Sequence, residues 1–112
     1  MPTRMNNNNN INYHLISLSY QFWWSRDGYG LFDKYGEERV IDTPISEGGY
    51  TGIGIGASFV GVRPIIEIMS VNFAWLTMDQ IFNPAAKVRY MSGGQLTAPI
   101  VIRSPGGTAH QL

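Results

Sequence analysis

One carboxylate stands apart for its setting. Glu47 closes the run Arg39-Val-Ile-Asp-Thr-Pro-Ile-Ser-Glu47 and opens the run Gly-Gly-Tyr-Thr-Gly52-Ile-Gly-Ile-Gly56. A short apolar strand ends at a Thr-Pro turn, and the acid then stands at the mouth of a glycine-rich helix. Three kinds of work are open to it there: binding a ligand group, setting a proton, or favouring the helix start by its charge. The last is worth a few tenths to about 1 kcal/mol. Gly48, Gly49, Gly52, Gly54 and Gly56 follow within nine positions. Each costs about 1 kcal/mol against alanine in a helix interior. Such a helix must lie very close to something that returns the energy. Gly52 and Gly56 are four apart, so the spacing predicts one shared face and a groove for another helix or a ligand.

The same glycines raise a nucleotide reading. Gly52-Ile-Gly54-Ile-Gly-Ala57 satisfies a dinucleotide-binding pattern, and Glu67 lies near the end of a following strand, where a ribose-binding acid would stand. The context does not match. That pattern needs its first glycine at the strand-to-helix turn, and nine residues separate Asp42 from Gly52. The two histidines offer little more. His14 lies in an unusual leader and His110 in a terminal loop, and both read as solvated.

The elements that must position Glu47 begin at Gly30. Gly30 to Tyr35 reads as a short helix stopped by Gly36, and Val40-Ile41 as a strand ended by Asp42-Thr43-Pro44. Residues 46 to 60 read as a helix with Ser46 at its N-cap, Glu47 in its first turn and Gly61 closing it. Pro64 to Met69 is a continuous apolar strand of the doubly covered, parallel kind. A helix follows from about Val71 to Phe82, interrupted at Pro84 and resumed from Ala85 to Met91. Pro99 to Arg103 is a third strand. The order predicts an α/β fold, a partial parallel sheet with flanking helices. Three strands leave both sheet edges open, so the chain reads as a truncated domain.

Val71, Ala74, Trp75, Met78, Ile81, Phe82, Ala85 and Val88 form one apolar stripe, and Phe73 and Leu76 make the opposite side apolar too. A helix apolar nearly all round needs cover on both sides. That cover is either a partner or the rest of the same domain.

Composition sets the outer bounds. The 112 residues suit one domain. Eight basic and eight acidic residues balance, which leaves no electrostatic footprint for nucleic acid or an anionic membrane. No cysteine is present, which excludes disulfides and thiolate metal sites and fits a reducing compartment. Only 14% of residues are charged while 44% are hydrophobic, a balance that suits a partnered surface. Residues 1–27 differ from the rest. Five consecutive asparagines, Asn6 to Asn10, favour no packed element, and the alternation in Ile11 to Trp24 suggests a strand. This segment is too short and polar to span a bilayer and makes a poor signal peptide. It reads as a poorly ordered, non-native or misassigned leader, with residues 28–112 as the N-terminal part of an incomplete domain.

From Gly30 to Leu112 the sequence resembles the β subunits of the thiamine-diphosphate-dependent 2-oxo acid dehydrogenases, the E1 components, and among them the pyruvate dehydrogenase type. The strings that carry this are Arg39 to Glu47, Gly61-Val-Arg-Pro64, Asn72-Phe73, Asp79-Gln80-Ile81, Ala85-Ala86-Lys87 and Tyr90-Met-Ser-Gly-Gly94. The pattern of that family's pyrimidine-binding, transketolase-like domain is a Glu, four residues, Gly, an apolar residue, two more and Gly. Glu47, Gly52, Ile53 and Gly56 meet it.

The resemblance implies a role for Glu47 as the carboxylate that hydrogen-bonds N1′ of the aminopyrimidine and favours its imino tautomer. The cofactor supplies the electron sink for decarboxylation. Such a carboxyl must share a proton near neutral pH, which apolar walls promote. Phe73 matches the aromatic that stacks on the pyrimidine, Met69 a neighbour of the same ring, and Ile100 a backbone carbonyl of a potassium site. Met69 and Phe73 would equally serve as ordinary core. The Mg²⁺ and diphosphate ligands of the family belong to the α subunit. Implied partners are that α subunit and a second β in an α₂β₂ assembly, with a lipoyl-bearing E2 acyltransferase as acceptor. The implied compartment is the cytoplasm in a bacterium, or the mitochondrial matrix or a plastid in a eukaryote. The family's His-Ser-Gln string, its N-terminal helix and its Gly-Glu-Glu string have no counterpart here, so the chain alone is expected to be inactive. Two alternatives remain: a transketolase or deoxyxylulose-phosphate synthase type of thiamine enzyme, and a silent remnant that only binds an α subunit.

Overall fold

The computed structural model describes the backbone of residues 13–18 and all of residues 30–106. The asparagine run, Phe22 to Trp24 and His110 lie outside them. The described residues form a four-stranded parallel sheet with helical segments between the strands. Its strands are β1 (Tyr13–Leu18), β2 (Val40–Thr43), β3 (Arg63–Glu67) and β4 (Val101–Arg103), in the order β2-β1-β3-β4. The sequence reading placed three strands from Gly30 onward and suggested another within Ile11 to Trp24, in a segment otherwise read as a poorly ordered leader. The fourth, β1, lies within the 1–27 segment and takes the central position, pairing Leu15 with Val40 on one side and with Ile65 on the other. Tyr13 to Leu18 alternates apolar and polar residues only in part, which is the weaker strand signal of a central position.

Between β1 and β2, α1 (Leu31–Tyr35) ends at Gly36, whose φ of 74° is the left-handed conformation that glycine adopts without strain. Between β2 and β3, α2 (Glu47–Phe59) packs against the sheet and closes at Gly61, φ 95°. The core lies at this contact. Tyr50, Ile55, Ile66 and Ile68 are all buried, and Met69 and Ile102 pack against Tyr50 and Ile66.

The segment from 71 to 91 departs from the expected helix. It starts as a 3₁₀ helix, Val71–Thr77, relaxes into one α turn, α3 (Met78–Gln80), widens further to a π turn at Ile81–Ala85 and ends as α4 (Ala86–Met91). Pro84 explains the widening: it brings no N–H and would clash with the carbonyl four residues back, which the wider turn relieves. Thr77 donates from Oγ1 to the Ala74 carbonyl at 2.7 Å, a local bond that supports the tight 3₁₀ end. These changes of winding break the apolar stripe read at α spacing. Trp75 (78% exposed) and Phe82 face outward, with Val71, Leu76, Tyr90 and Met91, while Ala74, Met78, Ile81, Ala85 and Val88 are half-buried.

β4 is also shorter than read. Pro99 cannot donate, and the Ile100 N–H turns back to the Ala98 carbonyl at 2.9 Å, so the ladder begins only at Val101. β3 ends as a regular strand at Glu67, although the Ile68 N–H still reaches the Arg103 carbonyl at 2.8 Å.

Candidate functional site

In the order β2-β1-β3-β4 the chain steps from β1 to one side and then builds the other side from β3. Open parallel sheets bind ligands at the carboxyl ends of the strands beside such a reversal. Glu47 enters this edge from the end of β2, through Pro44, Ile45 and Ser46. Glu67 is the last residue of β3, and Met69 and Phe73 follow it. Three of the four residues singled out from the sequence therefore stand at one edge. Ile100 precedes β4 and stands at the opposite, amino end of that strand.

Glu47 is 6% exposed in the first turn of α2. The cap expected of Ser46 is not made by its side chain. Its hydroxyl donates instead to the Pro44 carbonyl at 3.1 Å, which tightens the Thr-Pro turn. Among the described residues no hydrogen bond or ion pair engages the Glu47 carboxylate. A buried carboxylate in that state is an acceptor directed at whatever occupies the edge.

Tyr50 lies three residues on, one turn along the same helical face. It is 1% exposed, and its hydroxyl has no hydrogen-bond partner among the described residues. Burial first, then the charges of Glu47 and Glu67, push its ionisation up to about 12. The phenol is therefore neutral at any ordinary pH, with two carboxylates near it. Glu67 pairs in strand register with Arg103, and the guanidinium Nε lies 3.4 Å from its Oε2. That is an ion-pair distance rather than a tight charge-assisted hydrogen bond. The hydroxyls of Thr43 and Thr51 are also buried without partners among the described residues. Tyr50 and Arg103 were not singled out in the sequence, and Glu67 only as part of a nucleotide reading. The i, i+3 spacing of Glu47 and Tyr50 was the available signal for the first.

The glycine face is real but shifted. A methyl group on Gly48 would stand 3.1 Å from the Leu76 carbonyl oxygen, and one on Gly52 would stand 3.0 Å from the Gln80 side-chain oxygen. Glycine at 48 and 52 thus seats α2 against the 71–80 turns, which carry Phe73. Gly56 meets nothing among the described residues within 4 Å. Within these residues the close packing falls at Gly48 and Gly52, because the packing partner crosses near the helix start, and the expected groove at Gly56 is open there.

The arrangement combines a buried carboxylate acceptor, an apolar wall at Met69 and a half-buried aromatic at Phe73. Among the described residues no three His, Asp or Glu side chains come together as a metal site. No helix among them is long and apolar enough to cross a membrane.

A family model for the pyrimidine-binding domain of transketolase matches residues 22–112. The chain is 56% identical over 80 residues to a mitochondrial pyruvate dehydrogenase E1 component subunit beta-1 of Oryza sativa, covering 71% of this chain and 21% of that protein. It is 59% identical over 78 residues to the mitochondrial subunit beta of Dictyostelium discoideum, covering 70% and 22%. With the subunit beta of Rhizobium meliloti the identity is 56% over 83 residues, covering 74% and 18%. The chain spans about a fifth of the length of these curated relatives.

Proposed function

Because the chain belongs to the family of transketolase pyrimidine-binding domains, we propose that it supplies the pyrimidine half of a thiamine diphosphate site in a pyruvate dehydrogenase E1. The observation that carries this is Glu47, buried at the carboxyl edge of the sheet with its carboxylate unengaged among the described residues. The orphaned hydroxyl of Tyr50 beside it is a second mark of a site shaped for a polar-edged ring. Bound there, thiamine diphosphate would supply the electron sink for decarboxylation of a 2-oxo acid.

The chain's own residues have distinct tasks. Glu47 would hold the pyrimidine N1′ through one shared proton, donating when its carboxyl carries that proton and accepting when N1′ does. Met69 and Phe73 wall the ring and keep water from that bond, which strengthens it. The Ile100 carbonyl offers one ligand to a potassium ion whose other ligands lie elsewhere. Mg²⁺ and the diphosphate fall to an α subunit.

The exposed apolar residues of the 71–91 segment, Trp75, Leu76, Phe82, Tyr90 and Met91, supply the surface for that subunit and a second β chain. Transfer of the acyl group to a lipoyl-bearing E2 completes the reading. The compartment is the cytoplasm in a bacterium, or the mitochondrial matrix or a plastid in a eukaryote. That exposed surface equally favours a second reading, in which the chain only binds an α subunit.

Pyruvate-dependent reduction of an artificial electron acceptor tests the half-site. The purified chain alone gives no turnover, and turnover by it would overturn the proposal. Retention of α-subunit binding by Glu47→Gln, with thiamine diphosphate binding lost, separates the cofactor role from interaction alone. Unchanged thiamine diphosphate binding in that variant favours the second reading.

A further inference from the structure

Tyr50 carries a group that packing does not explain. Its ring lies in the core with Ile66, and Met69 and Ile102 pack against that pair, contacts a phenylalanine would make equally well. The hydroxyl adds a buried polar atom without a partner among the described residues, which costs stability unless something engages it. Helical side chains lean back over the turn that precedes them. At position 50 that turn begins with Glu47, and the charges of both Glu47 and Glu67 are felt at the phenol. Glu47 meanwhile has a competing attraction. Ser46 gives its hydroxyl to Pro44, so the first N–H groups of α2 have no side-chain cap and draw the nearby carboxylate.

We propose that Tyr50 is a positioning residue for Glu47: its hydroxyl donates to that carboxylate when a ligand is bound and holds it toward the ligand instead of the helix N–H groups. This rests on the reading of Glu47 as the hydrogen-bond partner of the pyrimidine. Glu67 has a charge partner in Arg103 at 3.4 Å, although its Oε2 accepts no hydrogen bond among the described residues. Glu47, by contrast, has no ion pair among them and lies one turn from Tyr50 on the same helix.

Tyr50→Phe tests it, because a structural hydroxyl and a reserved one move stability in opposite directions. The full chain, Tyr50→Phe and Glu47→Gln are compared by thermal melting and by ligand-observed NMR titration with thiamine diphosphate and Mg²⁺. The expected result is a melting temperature for Tyr50→Phe equal to or above the parent's, with affinity about tenfold weaker, as for one lost bond to a charged group. A melting temperature several degrees lower, or loss of the fold, makes the hydroxyl structural and overturns the inference. Parent-like affinity in Tyr50→Phe with affinity lost in Glu47→Gln overturns it while the reading of Glu47 stands. No binding by the parent, or equal binding by Glu47→Gln, overturns both.

Discussion

Alanine at Gly48, Gly52 and Gly56 tests how α2 is seated, since the three positions share a helix and differ in what lies opposite. Relief of the helix penalty alone stabilises each variant by about 1 kcal/mol. At Gly56 nothing among the described residues stands within 4 Å of the new methyl group, so the whole gain is expected. At Gly52 the methyl group meets the end of the Gln80 side chain at 3.0 Å. That side chain turns away at a cost of about 0.5–1.5 kcal/mol, which leaves the variant near the parent. At Gly48 the obstacle is the Leu76 backbone carbonyl at 3.1 Å, which cannot swing aside. Overpacking of that kind costs about 1–3 kcal/mol, and the propensity gain is smaller in a first turn. Gly48→Ala is therefore expected about 1–2 kcal/mol below the parent, and 2–3 kcal/mol below Gly56→Ala. Urea unfolding followed by circular dichroism at 222 nm reads the series, with the denaturant slope checking that the unfolded states match. Equal stability of Gly48→Ala and Gly56→Ala would refute the close seating of α2 on the 71–80 turns.

Three further outcomes follow from the same contacts. Tyr50 ionises near 12 in the fold against an ordinary 10. Below pH 10 the phenol is therefore neutral in both states, and the fold loses stability as pH rises from 10 toward 12, where the unfolded chain ionises first. The loss relative to Tyr50→Phe is at most about 2–3 kcal/mol, read by unfolding at pH 9, 10.5 and 12. Equal alkaline profiles for the two would contradict the burial of the phenol beside Glu47 and Glu67. Thr77→Val removes the bond to the Ala74 carbonyl from a fully buried site and is expected to destabilise by about 1 kcal/mol in urea. A neutral result would mean that this bond does not hold the 3₁₀ end. Arg103→Gln weakens the charge balance of the largely buried Glu67 and is expected to cost up to about 1 kcal/mol, since the guanidinium is half-exposed. A neutral result in urea unfolding would mean that this pair contributes nothing to the fold.

The sequence displayed the parts that depend on local chemistry. Gly36, Gly61 and the Thr-Pro turn ended their elements where expected, because left-handed glycine and proline act within a few residues. The parallel α/β arrangement followed from apolar strands alternating with helical segments. Non-local effects were less visible. β1 becomes a strand by pairing on both sides, and its own pattern is only partly alternating. The 3₁₀ and π turns arise from Thr77 and Pro84 acting on a helix that propensity alone would continue, and they rotate Trp75 and Phe82 out of the predicted stripe. At the site, Glu47 was legible because acid, turn and glycines adjoin in sequence. Glu67 and Arg103 meet only through strand register, which no single stretch of sequence reveals.

The central claim is that Glu47 receives the pyrimidine of thiamine diphosphate. Its most direct measure is the dissociation constant of thiamine diphosphate with Mg²⁺ for the chain and for Glu47→Gln, followed through the pyrimidine ring resonances by ligand-observed NMR. The fold of each protein is checked by circular dichroism. Weakening by about tenfold or more in the variant, as expected for loss of one charged acceptor, is the predicted result. The same dissociation constant for both proteins, with the pyrimidine resonances equally perturbed, would contradict it.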